Sequence, residues 1–288
     1  MASLYIVATP IGNLQDITLR ALEVLKTVSI IAAEDTRHTQ GLLNHYQIVK
    51  KKLVALHEHN EREASAKIIA WLEQGEAVAL VSDAGTPLIS DPGSILVQTV
   101  RAAGHTVVPI PGPNAAICAL SASGIVDGAF LFYGFLPSKA KQRQEILENL
   151  SQQETALLFY EAPHRIVDTV KAITQVFANQ ARTLTFAREL TKQYETIYTT
   201  PLAESLEWLL QNPYHQKGEF VLILSAPALS STQNETETCP LTLHDLIQTL
   251  LNHDLSVKQS VQIARDLTGV PKDKIYQLAL KLHQIEAT

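Results

Sequence analysis

Apolar residues along the chain follow two alternating rhythms, short unbroken runs and longer stretches with helical spacing. The first run, residues 4–8, reads as a buried strand, and Asp16 stands where it would cap a helix whose Leu19, Leu22 and Leu25 share one face. Further strands are expected at 28–33, 53–56, 77–81 and 106–110, with helices at 62–74 and 94–103 that stop at Gly75 and Gly104. Strands alternating with helices of this length predict a mostly parallel sheet covered on both faces.

After Pro111-Gly112-Pro113 the alternation resumes, with helix 114–122, strand 130–135, helix 139–150, strand 156–160 and helix 164–177. Later strands at 183–187, 194–199 and 220–224 surround one crossover helix, which predicts a mixed sheet. From residue 226 the composition turns to Ser, Thr, Gln, Asn and Glu, as in a flexible linker. The amphipathic stretches 257–267 and 274–282, separated by Thr268-Gly269-Val270-Pro271, have the pattern of a helix-turn-helix. The expected organisation is an α/β domain at 1–112, a second at 113–226, a linker at 227–240 and a small helical unit at 241–288.

Composition narrows the class. With 46% apolar residues in 288, a large core is available, and no apolar run approaches the roughly 20 residues of a membrane helix. The first residues lack a basic, cleavable leader pattern, so a cytoplasmic protein is expected. Two cysteines, Cys118 and Cys239, support neither a disulfide framework nor a metal site, and His57-Glu58-His59 lacks the one-turn spacing of a helical zinc motif. No metal is expected. A net charge of −6 argues against holding nucleic acid by bulk attraction, which leaves local patches: Lys50, Lys51 and Lys52, then Lys139, Lys141 and Arg143, or Arg165.

Ligands of open α/β sheets lie in the loops beyond the strand ends, where backbone N–H groups are free. Four such loops stand out. Thr9-Pro10-Ile11-Gly12-Asn13 lacks the glycine spacing of a dinucleotide fingerprint, which disfavours a nicotinamide oxidoreductase. Ala33-Glu34-Asp35-Thr36-Arg37 sets two carboxylates beside a guanidinium, as a local helix cap and ion pair or as chemistry. The loop at 82–93, Ser-Asp-Ala-Gly-Thr-Pro-Leu-Ile-Ser-Asp-Pro-Gly, is too constrained for a mere connection. Pro111-Gly112-Pro113-Asn114-Ala115-Ala116 opens a helix with small residues that admit close backbone approach.

These four segments, together with Phe159-Tyr160-Glu161-Ala162-Pro163-His164-Arg165, Arg188-Glu189-Leu190-Thr191-Lys192 and Gly218-Glu219-Phe220, are colinear with the RsmI family of 16S ribosomal RNA methyltransferases and closely resemble it over nearly the whole chain. The resemblance implies two α/β domains of tetrapyrrole-methylase type, a homodimer, and S-adenosylmethionine bound in the cleft between the domains. It implies methylation of the ribose 2′-oxygen of a decoding-centre cytidine in small-subunit ribosomal RNA. Where tetrapyrrole-acting relatives carry a glycine-rich first loop this chain has Ala8-Thr9-Pro10-Ile11-Gly12, which favours RNA as the substrate.

By position in that resemblance, the cofactor contacts are Ile11, Asp83, Thr86, Ala115, Ala116, Tyr160, Ala187 and Glu219, with Ser121 a further candidate. A ribose hydroxyl is a weak nucleophile, so a general base is attractive. Glu34 and Asp35 are the candidates, with Arg37 holding a carboxylate or a phosphate and Asn13 orienting the ribose. Two other readings stay open, a methylase of the same fold with a small-molecule target and a non-catalytic RNA-binding protein.

Overall fold

In the computed structural model, residues 2–125, 128–228, 242–253 and 255–285 are described. The chain divides into two compact units, 1–228 and 229–288, and both sheets belong to the first. Its first half runs β1 (Ser3–Val7), α1 (Leu19–Thr27), β2 (Ile30–Ala33), α2 (Thr36–His45), β3 (Lys52–Ala55), α3 (Glu61–Glu73), β4 (Val78–Val81), α4 (Ser94–Ala102) and β5 (Thr106–Ile110). All five strands are parallel, in the order β3-β2-β4-β1-β5. β2 and β4 are buried throughout, and the period of two sends Ile30, Ala32, Val78 and Leu80 to one core and Ile31, Ala33, Ala79 and Val81 to the other.

Local signals explain most helix ends. The Thr18 hydroxyl accepts the Ala21 N–H to start α1, and Gly75 and Gly104 follow α3 and α4 at φ of 89° and 81°. The expectation at Asp16 is corrected: Asp16 closes a short 3₁₀ turn, Leu14–Asp16, that Asn13 caps. Leu19 is also not a core residue, being 80% exposed; Ala21 and Leu25 are the buried positions. Its place in the first turn of α1 puts it outside the packed stripe.

The second half runs α5 (Ala115–Ala122), β6 (Phe130–Phe135), α6 (Ala140–Leu150), β7 (Ala156–Glu161), α7 (Ile166–Val176), β8 (Thr183–Arg188), β9 (Thr196–Pro201), α8 (Ser205–Gln211) and β10 (Phe220–Leu224). The sheet order is β6-β7-β10-β8-β9, with β6 and β7 parallel and the other pairs antiparallel, a mixed sheet as the pattern implied. Phe159, Phe186, Phe220 and Leu222 fill a core on one face, and Leu158, Ala187, Val221 and Ile223 pack with Ala116 and Ala119 of α5 on the other.

The second unit contains α9 (Leu243–Asn252), α10 (Val257–Thr268) and α11 (Lys272–Ile285) around a core of Ile247, Val261, Ala264, Ile275 and Ala279. Capping boxes start α9 and α10, and Gly269 at φ 69° ends α10 where the turn was expected. α9 was not among the helices read from the pattern. Cys239 and most of the 227–240 linker lie outside the described residues. Among those residues no helix is long and apolar enough to cross a membrane.

Candidate functional site

Register brings the four loops to one edge of the first sheet. Val7 is level with Val81 and Ile110, and Ala33 is level with Val81, so the segments that follow leave side by side. Backbone hydrogen bonds then join them: the Thr9 and Gly85 main chains exchange two, at 2.9 and 3.0 Å, and the Thr9 hydroxyl donates to the Ser82 carbonyl at 3.1 Å. The Thr86 hydroxyl donates to the Pro113 carbonyl at 2.9 Å. Leu88 and Ser90 sit at positive φ, 73° and 69°, a conformation that non-glycine residues adopt only when their surroundings hold them there. The Ser90 side chain also lies close to the second sheet, where a Cβ on Gly134 would stand 2.8 Å from the Ser90 hydroxyl oxygen.

On the second sheet Tyr160 and Ala187 are both paired with Val221, one row across β7, β10 and β8. The Tyr160 hydroxyl accepts the Ala116 N–H at 3.2 Å, tying that row to the first turn of α5. Asn114 starts α5 by accepting the Ile117 N–H at 3.1 Å. Between the loops and this row lies a cavity of about 430 Å³.

Seven of the nine positions assigned to the cofactor line it: Ile11, Asp83, Thr86 and Ala115 from one side, Tyr160, Ala187 and Glu219 from the other. Two stand apart. Ala116 is buried with its N–H already taken by Tyr160, and Ser121 is exposed on α5 with its hydroxyl donated to the Cys118 carbonyl at 2.8 Å. The cavity also takes Asp91, Asn114, Phe135 and Glu161, which the sequence reading did not single out. Asn114 carried a signal, an Asn directly before a helical run. Asp91 lay unmarked within the 82–93 loop, and Phe135 arrives only through the pairing of β6 with β7.

The four residues read as catalytic fall beside this lining. Asp35 caps α2, its carboxylate accepting the Arg37 N–H at 2.8 Å and the guanidinium at 3.1 and 2.7 Å. Those bonds hold its carboxyl well below the usual range, and it is committed to the helix start. The Arg37 side chain is 90% exposed and engaged with Asp35. Asn13 accepts the Gln15 N–H at 3.0 Å and gives its own N–H to the Thr191 hydroxyl at 3.1 Å, so it shapes the first loop. Glu34 is half-buried, and burial followed by the Asp83 carboxylate pushes its carboxyl up, with His57 partly offsetting the rise.

At the rim, Lys192 donates to Glu189 at 3.1 Å and to Glu219 at 2.8 Å, and Glu189 also accepts the Glu219 N–H at 2.9 Å. This segment lies so close to the first loop that a Cβ on Gly12 would stand 2.6 Å from the Lys192 Cγ.

The expected RNA patches are partly spent on structure. Lys51 donates to the Lys26 and Val28 carbonyls at the end of α1, both at 2.6 Å, and the Lys52 ammonium sits 4.2 Å from the Trp71 ring. Arg143 is buried, and Arg165 pairs with buried Glu161 at 3.3 Å. Lys141, its side chain 90% exposed, lies 4.0 Å from Glu145, and Lys50, Lys52 and Lys139 are exposed as well. No metal-binding group of three or more His, Cys, Asp or Glu occurs among the described residues.

Comparison with known proteins agrees with this geometry. Residues 3–205 match the family described as Tetrapyrrole (Corrin/Porphyrin) Methylases, and residues 242–283 match the RsmI C-terminal HTH domain. The chain is 49% identical to ribosomal RNA small subunit methyltransferase I of Haemophilus influenzae and 48% identical to that of Pasteurella multocida, with 96% of each chain covered in both cases. Its fold is similar to uroporphyrin-III-C-methyltransferase from Thermus thermophilus, with TM-score 0.55 at 18% identity over 78% of this chain and 95% of that one. A structure of uroporphyrin-III C-methyltransferase from Thermus thermophilus complexed with S-adenyl homocysteine gives TM-score 0.53 at 16% identity, over 78% and 97%. The family match over residues 3–205, the match of the helical C-terminal unit and the relatives aligned over 96% of the chain together show that the protein belongs to the ribosomal RNA small subunit methyltransferase I family, on the tetrapyrrole methylase fold.

Proposed function

We propose that the protein transfers a methyl group from S-adenosylmethionine to the ribose 2′-hydroxyl of a decoding-centre cytidine in small-subunit ribosomal RNA. The observation that carries this reading is the cavity between the two sheets, whose size of about 430 Å³ lies within the range of cofactor sites. Its chemistry suits the donor. Asp83 offers a carboxylate for the cationic and hydroxyl-bearing parts, while Ile11, Ala115, Ala187 and the Tyr160 ring offer apolar wall for the adenine. When bound, S-adenosylmethionine supplies a methyl group activated by its sulfonium charge. The chain's own residues position the donor and exclude water, which converts an encounter into a held near-attack pair.

With the chain divided into halves at 1–112 and 113–226, both halves contribute residues to the site, and the 241–288 unit serves substrate capture. With a net charge of −6, capture relies on placed contacts, for which Lys50 and Lys139 remain exposed. The working form is a homodimer in the cytoplasm, without a metal. Incubation with methyl-labelled cofactor and either naked ribosomal RNA or small subunits, followed by mapping of the label, tests the reading. Label on one ribose is expected; label on a base, on a small molecule only, or none at all overturns it.

A further inference from the structure

We infer that Lys192 receives a backbone phosphate of the RNA beside the target ribose, an assignment that rests on the 2′-O-methyltransferase reading above. Four carboxylates line the cavity, those of Asp83, Asp91, Glu161 and Glu219, and among the described residues no Lys, Arg or His does. Such a lining repels a polyanion, so a phosphate next to the reacting ribose needs a cation at the mouth. Among the described residues two cations pair with these carboxylates. Arg165 is tied to Glu161, whose side chain is fully buried, and also donates to the Leu136 carbonyl. Lys192 meets Glu219 instead, at 2.8 Å, and the Glu219 side chain is 77% exposed.

The turn that carries Lys192 is held in an unusual backbone conformation. Glu189 and Thr191, neither of them glycine, sit at φ of 50° and 63°. Residues keep such angles only where their surroundings over-determine them, and those places cluster at functional sites. Here the surroundings are explicit. The Glu189 carboxylate accepts the Glu219 N–H at 2.9 Å, and the Glu189 carbonyl accepts the Lys192 N–H at 3.0 Å. Glu195 accepts the Thr191 N–H at 2.6 Å, and the Thr191 hydroxyl accepts the Asn13 N–H at 3.1 Å. Gly218 passes so close that a Cβ there would stand 2.7 Å from the Glu189 Cδ. The turn follows directly on Ala187 and includes Leu190, both of which line the cavity.

The two partners of the ammonium differ in what they allow. Glu189 is fixed by the turn, its side chain 19% exposed, and keeps Lys192 at the rim. Glu219 reaches it from solvent, and an ion pair to so exposed a carboxylate contributes little in water. An RNA phosphate therefore takes the place of Glu219 at small cost, and the ammonium stays where the mouth of the cavity needs positive charge.

The test measures methylation of small subunits by the wild type, Lys192→Gln and Lys192→Arg over a range of salt, with S-adenosylhomocysteine titrated calorimetrically. Lys192→Gln removes the charge and keeps a donor for Glu189. It is expected to raise KM for subunits about tenfold with kcat within about threefold and ligand affinity within about twofold. The slope of log(kcat/KM) against log salt should flatten by about 0.7, the share of one phosphate, and Lys192→Arg should restore it. Amine acetylation of the wild type reads the same contact without a substitution, and Lys192 should lose its reactivity when subunits are bound. An unchanged salt slope in K192Q, a kcat loss at unchanged KM, or a Lys192 that acetylates equally with subunits bound overturns the assignment. Weaker S-adenosylhomocysteine binding by K192Q overturns it as well, because the anion held is then the carboxylate of the cofactor. If K192Q does not fold, the acetylation result decides alone. A wild type that labels no ribose overturns the functional reading instead, and that result is read before any variant is compared.

Discussion

The hydroxyl of Thr86 donates to the main-chain carbonyl of Pro113 across 2.9 Å, and this bond fastens the loop after β4 to the segment that links the two sheets. Thr86 lines the cavity, and Pro113 precedes the residue that caps α5. One hydrogen bond therefore ties the loop after β4 to the segment that opens α5 on the same side of the site.

Thr86→Val keeps the shape and removes the donor. The Pro113 carbonyl is left without its partner, at a cost of about 1 kcal/mol. A lower urea midpoint and roughly tenfold weaker S-adenosylhomocysteine binding by calorimetry are expected. Unchanged values in both would show that the tie has no part in the site.

Glu61 holds the far end of the same loop. Its buried carboxylate, on α3, accepts the Ile95 and Leu96 N–H groups at 2.7 and 3.1 Å, capping α4, whose own N-cap Gly93 has no side chain to do so. Glu61→Ala leaves two helix donors unmet and should cost about 2 kcal/mol or more, with Glu61→Gln losing about half as much. Denaturant titration of the three proteins measures the order.

Gly12→Ala tests the close approach of the first loop to the 188–195 segment. The new Cβ would stand 2.6 Å from the Lys192 Cγ, 2.7 Å from the Thr191 hydroxyl and 3.0 Å from the Leu190 carbonyl oxygen. Lys192 is able to swing, but the backbone carbonyl is not, so one segment has to shift. A loss of about 1–3 kcal/mol and weaker ligand binding are expected, and wild-type affinity would count against the fit.

The pH dependence of stability at Asp91 has a definite sign. Its carboxyl is raised from 3.8 to about 6, so the native state binds the proton more tightly than the unfolded chain does. Stability from this group is fully present below pH 3.8 and is lost as pH rises through 6. The loss reaches about 3 kcal/mol before screening by solvent and about 1–2 kcal/mol after it. Asp91→Asn removes the charge, so it should match the wild type near pH 4 and be the more stable protein at pH 7.5. Urea denaturation at the two values reads this directly.

Removal of the helical unit separates capture from chemistry. Both sheets and every cavity residue lie within 1–228, and the helical unit has its own core. The 1–228 protein should fold and bind S-adenosylhomocysteine, yet methylate small subunits poorly at limiting enzyme. Normal methylation there would reduce the unit to a packing role.

Much of the fold was legible because it rests on local periodicity. The runs that became β2 and β4 are buried on both faces and so lack polar alternation, and Gly75, Gly104 and Gly269 marked helix ends through their backbone freedom. Helix α2 was not among the helices read from the pattern, although the segment with Asp35 and Arg37 carried a helix-cap reading beside the chemical one. The exposure of Leu19 was hidden because spacing alone does not say which turn of a helix reaches the core.

What the sequence by itself determined was the alternation of strands and helices, the loops that bear ligands and the family those loops belong to. What only the tertiary structure decided was the state of each side chain within them. Lys51, Arg143 and Arg165 are indistinguishable from free surface cations in the sequence, and became helix caps and buried partners once α1, α6 and α7 were packed. Asp35 and Asp91 are the same residue type, and they diverge because one meets a guanidinium while the other meets burial and two carboxylates. The free energy of a charge depends on neighbours far apart in the chain, and it is set only when strand register brings those neighbours together.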